Sequence, residues 1–234
     1  MNLPHYHEDL KHFHVGTTPK RSYFVPASTA ELAVLPRELS DRALFLNGDW
    51  AFLYAENDRG LPEDFYAEDF DYSGFDSIPV PSVWQNFGYG YHNYTNVRYP
   101  FPFDPPYVPE DNACGLYIRD FELTDDGLDK TLVFEGVDSC FYVFINGQFV
   151  GYSQASHNMS EFDITKYAKC GLNRIAVLVY RWCDGSYIED QDKLRMSGIF
   201  RDVYVLLRPK KRVEDFFVHE SFAANFKKAE ITVD

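Results

Sequence analysis

Cysteine, basic residues and long apolar runs are all scarce in this chain. It has only four cysteines, and its first ten residues hold no basic stretch followed by an apolar run, so no secretory signal is visible. We therefore expect buried, reduced cysteines in a cytoplasmic protein. No apolar run approaches the ~20 residues that a membrane-spanning helix needs. These absences argue against a secreted disulfide scaffold and against a membrane-spanning protein.

Positive charge is also in short supply. Lys and Arg number 22 against 36 Asp and Glu, giving a formal net charge of -14, and charging all 7 histidines would leave the chain acidic. Nucleic acids and anionic membranes are therefore poor candidate partners. The sequence also lacks a P-loop, a complete GxGxxG, and the HExxH, GxSxG and CxxC motifs. Nucleotide chemistry and zinc-dependent hydrolysis are disfavoured accordingly.

Aromatic residues are abundant. They make up 18% of the chain, with 17 Tyr and 21 Phe, a content that suits stacked β-sheets and sugar-facing surfaces and excludes disorder. At 234 residues the chain can bury a core without disulfides or a structural metal.

Short apolar strands recur along the second half of the sequence, without amphipathic helices between them. They are predicted at residues 116–123, 131–137, 140–145, 148–153, 173–182 and 199–207. Asn146-Gly147 predicts a tight hairpin between two of them, and Asn47-Gly48 predicts a turn within a strand or hairpin over residues 43–54. The pattern predicts an all-β fold, an antiparallel jelly-roll β-sandwich, and disfavours a parallel α/β fold.

Three regions differ in composition. Residues 1–40 are irregular and are interpreted as an extended N-terminal arm. Residues 41–210 form the predicted jelly-roll domain, within which the Pro- and aromatic-rich stretch 79–109 predicts an ordered loop. A basic, proline-containing boundary follows, and residues 211–234 hold only two predicted strands, too few to bury a core. We therefore expect them to be the start of a truncated domain of a longer protein.

An acidic segment lies between two apolar strands and also contains Trp182 and Tyr187. Its carboxylates are Asp184, Glu189, Asp190 and Asp192. Carboxylates beside aromatic rings suit sugar hydroxyls, and paired acids are typical of glycoside hydrolysis. A cation-binding loop, or ion pairs with Arg195 and Arg201, would equally explain the composition.

Two histidine pairs lie in the arm. His5 and His7, like His12 and His14, are spaced so that both side chains would share one face of an extended strand, as metal ligands often do. No neighbouring Cys or carboxylate pattern completes a site. Solvated or packed histidines are therefore the favoured interpretation.

Several longer motifs together resemble the N-terminal part of glycoside hydrolase family 2 β-galactosidases. They are Leu46-Asn-Gly-Asp-Trp50, Pro81-Ser-Val-Trp-Gln85, Tyr94-Thr-Asn-Val-Arg-Tyr-Pro100, Pro105-Pro-Tyr-Val-Pro109, Phe149-Val-Gly-Tyr-Ser-Gln154, Asp184-Gly-Ser-Tyr-Ile-Glu-Asp-Gln-Asp192 and Arg195-Met-Ser-Gly-Ile-Phe-Arg-Asp202. The resemblance implies a galactose-binding-like jelly roll, followed by an immunoglobulin-like domain and a catalytic (β/α)8 barrel. The barrel would carry both catalytic glutamates, so no catalytic residue is expected in this chain.

The resemblance also implies particular site residues and ions. Asn96 would hydrogen-bond galactose, and Asp192 would bind a galactose hydroxyl and help to ligate a sodium ion completed by the barrel. Asp184 and Gln154 match positions around a second, magnesium ion, whose other ligands come from the arm. The implied protein is a retaining, cytoplasmic β-galactosidase acting on lactose-like substrates, homo-oligomeric at full length and dependent on Mg²⁺ and Na⁺.

Two other functions remain open at this stage. The jelly roll could be a stand-alone carbohydrate-binding module without hydrolytic activity. Alternatively, it could chiefly support contacts with the barrel and between subunits.

Overall fold

The computed structural model describes residues 3–96, 98–124, 127–189 and 192–234. The strands are β1 (His14–Val15), β2 (Ala43–Phe45), β3 (Gly48–Ala55), β4 (Asp76–Val80), β5 (Asn93–Thr95), β6 (Cys114–Leu123), β7 (Asp129–Phe134), β8 (Val137–Asp138), β9 (Cys140–Ile145), β10 (Gln148–Gln154), β11 (Ser160–Asp163), β12 (Gly171–Tyr180), β13 (Lys193–Arg195), β14 (Gly198–Ile199), β15 (Val203–Arg208), β16 (Val218–Phe222) and β17 (Ala229–Val233). One α-helix, α1 (Ala30–Ala33), and the 3-10 helices Tyr6–Glu8, Arg37–Leu39, Asp58–Gly60, Trp84–Phe87 and Asp184–Tyr187 complete the elements. None of the helices in these ranges is long and apolar enough to cross a membrane.

Two facing antiparallel sheets form the body of the molecule. A seven-stranded sheet has the order β1-β10-β9-β12-β6-β3-β4, and a four-stranded sheet has the order β11-β7-β15-β2. The core between them is apolar on both sides, with Phe52, Val143 and Val177 from the larger sheet and Leu132 and Val205 from the smaller one. The predicted all-β antiparallel sandwich is confirmed.

The large sheet is buried on its outer face as well. A second apolar cluster, including Leu116, Tyr142 and Leu178, is covered there by Tyr6 of the arm and by Phe65 of the segment before β4. This explains why all six residues of β9 are buried and why its sequence is a continuous apolar run rather than an alternating one.

The two Asn-Gly signals have different outcomes. Asn146 and Gly147 adopt φ values of 50° and 79° between β9 and β10, as the predicted tight hairpin requires. Asn47-Gly48 joins no hairpin, because β2 pairs with β15 in the small sheet whereas β3 pairs with β4 and β6 in the large one. The hairpin interpretation of residues 43–54 is wrong: the chain crosses between sheets at this point, and the Asn47 side chain accepts the Val203 N–H at 3.1 Å.

Candidate functional site

A separate two-stranded sheet carries the residues singled out for sugar binding. β5 and β13 pair antiparallel, with Lys193 opposite Thr95 and Arg195 opposite Asn93. Continuing this register by one residue places Asp192 opposite Asn96, and both residues are exposed. Val97, Asp190 and Gln191 lie outside the described residues.

Tyr94 connects the two site residues. Its hydroxyl donates to Asp192 Oδ1 at 2.5 Å. That hydrogen bond is the main reason why the pKa of Tyr94 lies above its ordinary value, while a contact from the Asn96 side chain acts in the opposite direction. An amide, a phenol and a carboxylate therefore converge at one exposed edge, with donors and acceptors that sugar hydroxyls can use.

The segment from β13 to β14 is anchored by the Pro81–Gln85 motif. The buried Gln85 side chain accepts the Ser197 N–H at 2.9 Å, and the N–H of Trp84 donates to the Ser197 carbonyl at 3.0 Å. The N–H of Ser82 similarly donates to Ile199 at 2.8 Å. A buried part of the fold thus holds one strand of the exposed edge.

The Pro- and aromatic-rich loop is ordered around Tyr187. The Tyr187 hydroxyl donates to the Tyr107 carbonyl at 2.5 Å and accepts the Asp104 N–H at 3.2 Å, and the Tyr99 hydroxyl donates to the Tyr187 carbonyl at 2.8 Å. Phe101 packs edge-on against the same ring, with centroids 5.3 Å apart. The predicted ordered loop is confirmed for residues 98–109, whereas the stretch 79–96 also contains the end of β4, the 3-10 helix Trp84–Phe87 and β5.

The acidic segment is not a single cluster. Glu189 accepts from the N–H and hydroxyl of Ser156 at 2.9 and 2.7 Å, so this carboxylate fastens the loop before β11. Asp184 lies in the 3-10 helix and is 4% exposed, whereas Asp192 lies at the exposed edge. The three described acids therefore have different surroundings, and Asp190 is outside the described residues.

Asp184 and Gln154 are brought together, as the magnesium prediction requires. Asp184 Oδ1 accepts the Gly185 N–H at 2.9 Å, and Gln154 Oε1 accepts the same N–H at 3.2 Å. Asp184 Oδ2 is buried without a hydrogen-bond partner in the described chain. Burial raises the pKa of Asp184, and the charge of Asp9 in the arm adds to this rise. Contacts with Gln154 and with the Gly185 N–H act in the opposite direction. An unpartnered carboxylate oxygen near an amide oxygen fits a hard cation such as Mg²⁺.

Neither histidine pair lies wholly on an extended strand: His14 begins β1, whereas His5, His7 and His12 lie outside the strands. His12 Nδ1 lies 2.6 Å from Asp9 and His14 Nδ1 lies 2.8 Å from Ser153 Oγ, so these two side chains bond to different partners. His5 instead caps the 3-10 helix that contains His7, and their rings stack with centroids 5.4 Å apart. For His5 and His7 the extended-strand interpretation is wrong, because one turn of 3-10 helix forms there.

Asp138, beneath the exposed edge, yields a stability prediction. Its side chain is 15% exposed, and burial raises its pKa to about 6, although Lys193 Nζ lies 3.5 Å away and lowers it. The folded protein therefore holds this proton to a higher pH than the unfolded chain does. Protonated Asp138 therefore stabilises the folded state. This contribution to the free energy of unfolding is fully present below the pKa of Asp138 in the unfolded chain and is lost as the pH rises through its pKa in the folded protein. We expect Asp138→Asn to raise the free energy of unfolding by about 1–3 kcal/mol near pH 7 and by much less near pH 4.

Urea unfolding at both pH values measures this difference. Asp163→Asn is the matched control, because Asp163 is exposed and accepts only a local N–H, from Thr165. An equal effect of Asp138→Asn at both pH values, or a loss of stability near pH 7, would contradict the prediction.

Sequence comparisons identify the domain. The family model for "Glycosyl hydrolases family 2, sugar binding domain" matches residues 44–209. The β-galactosidase of Actinobacillus pleuropneumoniae is 48% identical over 235 residues, covering 100% of this chain and 23% of that relative. The β-galactosidase of Staphylococcus xylosus is 44% identical over 232 residues, covering 97% of this chain and 23% of that relative. The chain thus spans less than a quarter of their length.

Solved structures share the fold. A β-glucuronidase from an uncultured Clostridium sp. superimposes with a TM-score of 0.62 at 17% identity, covering 92% of this chain and 35% of that one. The β-glucuronidase of Ruminococcus gnavus superimposes with a TM-score of 0.62 at 17% identity, covering 82% of this chain and 33% of that one. These structures have the same fold as this chain. The resemblance of the motifs to family 2 β-galactosidases is confirmed by the sequence match. This chain therefore belongs to glycosyl hydrolases family 2, as an N-terminal sugar binding domain of the β-galactosidase type.

Proposed function

We propose that this domain lends Asn96 and Asp192 to the active site of a retaining β-galactosidase, whose (β/α)8 barrel lies outside the chain. The observation that supports the proposal is the pairing of β5 with β13, which sets the two residues opposite each other with the Tyr94 hydroxyl between them. Their exposure suits half of a pocket, completed when another domain covers it. The proposed substrates are terminal β-galactosides such as lactose.

Each side chain has a distinct role in this proposal. The Asn96 amide can donate to one sugar hydroxyl and accept from another, and the Asp192 carboxylate accepts from a hydroxyl. Tyr94, 59% exposed, fixes the carboxylate through its hydrogen bond and offers a ring edge to the apolar face of the sugar. These groups bind and orient the galactosyl unit, while the bond-breaking carboxyls come from the barrel.

Two ions are proposed with the site. Asp192 would ligate Na⁺ together with oxygens from the barrel, and a bound cation there would hold a galactose hydroxyl by charge attraction. Asp184 and Gln154 would hold Mg²⁺ below the surface, where it would neutralise the buried Asp184 oxygen. Asp9 lies close enough to influence the charge of Asp184, so this second ion would also connect the arm to the domain.

The isolated 234-residue chain is expected to be inactive. A retaining mechanism needs two carboxyls about 5 Å apart, one as nucleophile and one as acid/base. Two acids of the acidic segment already have other partners in the described chain: Asp192 accepts from Tyr94 at the exposed edge, and Glu189 accepts from Ser156 in the loop before β11. Incubation of the purified chain with a chromogenic β-galactoside should release no product above a buffer blank. Sustained release that scales with protein concentration would overturn this expectation.

A chimera tests the contribution of Asn96. The chain replaces the matching 23% of the Actinobacillus pleuropneumoniae β-galactosidase, to which it is 48% identical. We expect Asn96→Ala to lower kcat/KM for a β-galactoside by about 10- to 100-fold, because hydrogen bonds to the sugar are lost in a desolvated site. Asn225→Ala, an exposed asparagine in the β16–β17 hairpin, is the matched control. Equal activity of the Asn96→Ala and Asn225→Ala chimeras would refute the contribution.

A stand-alone carbohydrate-binding module is the alternative, because the three groups are already converged on an open surface. NMR titration of the 234-residue chain with galactose separates the two functions. Half a pocket binds weakly, so we expect shifts near residues 94–96 only at high sugar concentration. Saturation at low millimolar sugar, abolished by Asp192→Ala, would favour the module.

We further propose that the full-length enzyme is a homo-oligomer and is cytoplasmic. The cytoplasmic location is in keeping with the free buried thiols of Cys114, Cys140 and Cys183.

A further inference from the structure

We propose that His5, His7 and Glu8 form a binding site for a divalent transition-metal ion such as Zn²⁺. The ligand atoms of these three residues all lie within 4.8 Å of one another. Asp58 lines the same cavity of about 240 Å³ between the arm and the domain as His5 and His7 do. The site is distinct from the sugar-facing edge and from the Asp184 and Gln154 pair.

The hydrogen bonds around His7 leave one ring nitrogen for a ligand. The Tyr142 hydroxyl donates its single proton to the Pro4 carbonyl at 2.8 Å, so the bond of 3.2 Å between this hydroxyl and His7 Nδ1 must use the imidazole N–H. In the neutral ring, Nε2 then carries the lone pair. An N–H that donates to an oxygen while the other nitrogen binds metal is the usual arrangement of histidine ligands.

Packing holds that ring in place. His7 is 7% exposed and stacks on Tyr180, with ring centroids 4.4 Å apart and an interplanar angle of 15°. The stacking and the burial hold the imidazole at the wall of the cavity that Asp58 also lines.

Glu8 adds a carboxylate oxygen to the two imidazoles, and Asp58 lies across the cavity from the histidines. Glu8 Oε1 accepts the Val108 N–H at 3.0 Å, while Oε2 lies 4.0 Å from His5 Nδ1. Asp58 Oδ2 accepts from the Tyr180 hydroxyl at 3.0 Å. The nearby Arg59 guanidinium is drawn toward Glu110 and Asp111, with nitrogen-to-oxygen distances of 3.7 Å to each.

Two imidazoles with a carboxylate favour zinc over magnesium or calcium, which prefer oxygen ligands alone. Zinc bonds of about 2.0–2.2 Å in a tetrahedron place ligand atoms about 3.5 Å apart, so the site must contract by about 1 Å on binding. The His5 side chain, 71% exposed, is free to make that movement. Binding would fasten the arm to the segment around Asp58 and, through Glu8, to the aromatic loop.

Calorimetric titration of the chelator-treated 234-residue chain with zinc sulphate tests the proposal. We expect one micromolar site, weakened about 10- to 100-fold by His5→Ala and by Glu8→Gln. The His5 side chain is exposed and the Glu8 side chain is 22% exposed, and circular dichroism checks that the variants fold. His92→Ala and Glu220→Gln, which remove an exposed histidine and an exposed glutamate elsewhere, should bind as the parent does.

A second measurement needs no variant. On addition of zinc, the imidazole nitrogen resonances of His7 should shift before those of His92. Absence of zinc binding would overturn the proposal. Binding that survives the double change His5→Ala and Glu8→Gln would do the same, as would a site removed by His12→Ala instead.

Discussion

Asp192→Asn in the chimeric β-galactosidase should lower kcat/KM for a β-galactoside by at least about 100-fold. In the proposed assembly a barrel covers the β5–β13 edge, where Asp192 would become a buried charge with fixed partners. Loss of such a charge costs about 2–5 kcal/mol. The substitution keeps the size of the side chain and one acceptor oxygen. It removes the negative charge that would hold the sodium ion and replaces an acceptor that faces the Tyr94 hydroxyl at 2.5 Å.

The ion dependence provides an independent readout. If Asp192 ligates sodium, activity of the parent chimera should rise with Na⁺ when choline supplies the remaining ionic strength, and Asp192→Asn should flatten this response. Tyr94→Phe should give a smaller loss, about tenfold, because the carboxylate remains but is no longer oriented. Asp71→Asn is the matched control, since Asp71 is exposed and accepts only the N–H of Ser73, a bond that the asparagine carbonyl can keep.

Two outcomes would contradict the role of Asp192. One is a kcat/KM within about threefold of the Asp71→Asn chimera, which would mean that the charge is not desolvated in the assembled enzyme. The other is a loss of activity with an intact sodium response, which would place the ion elsewhere.

Local signals were sufficient to predict most of the sandwich. The run Cys140–Ile145 and the following Asn146-Gly147 turn specify a buried strand and its hairpin within eight residues, and the strand has those bounds. The Asn47-Gly48 signal was just as strong locally, yet β2 and β3 belong to different sheets. A turn signal reports backbone conformation at two residues, whereas sheet membership depends on distant partners such as β15.

The candidate site could be predicted only in part, for a related reason. Tyr94 and Asp192 are 98 residues apart, and their contact depends on the pairing of two three-residue strands that carry little local signal. Asn96 and Asp192 were therefore found through motif resemblance and not through periodicity. The bond from Glu189 to Ser156 escaped prediction because an acid count cannot separate sugar-facing carboxylates from those that fasten loops.

The N-terminal arm shows most clearly what local sequence patterns do not predict. The spacing of His5 and His7 was noticed, but the expected extended strand would not have brought Glu8 to the same side. In the 3-10 helix, with three residues per turn, His5 and Glu8 fall one turn apart. Asp58, the acid across the cavity, begins a 3-10 helix that no local pattern connects to the arm.

Trp84→Ala should cause the largest loss of stability among single changes near the site. The Trp84 side chain is fully buried between the sheets, with Phe52 at 6.2 Å and Tyr54 at 6.1 Å between ring centroids. Gly115 leaves room for it, because a Cβ there would lie 2.8 Å from the indole. Removing an indole from such a site costs about 3–5 kcal/mol through lost transfer energy and a residual cavity. For a chain of this size we expect a fall in Tm of about 6–20 °C.

Differential scanning calorimetry of the 234-residue chain measures that change, and two variants define its cause. Phe87→Ala truncates an aromatic residue in the same 3-10 helix that is 47% exposed, so it should cost less than about 1 kcal/mol. Trp84→Phe should lie between the two, because the indole Nε1 makes no hydrogen bond in the described chain and only volume is lost. A Tm for Trp84→Ala close to that of Phe87→Ala would show that the core relaxes around the gap. In that case the Trp84 backbone bond to Ser197, which survives the substitution, would be what holds the β13 edge.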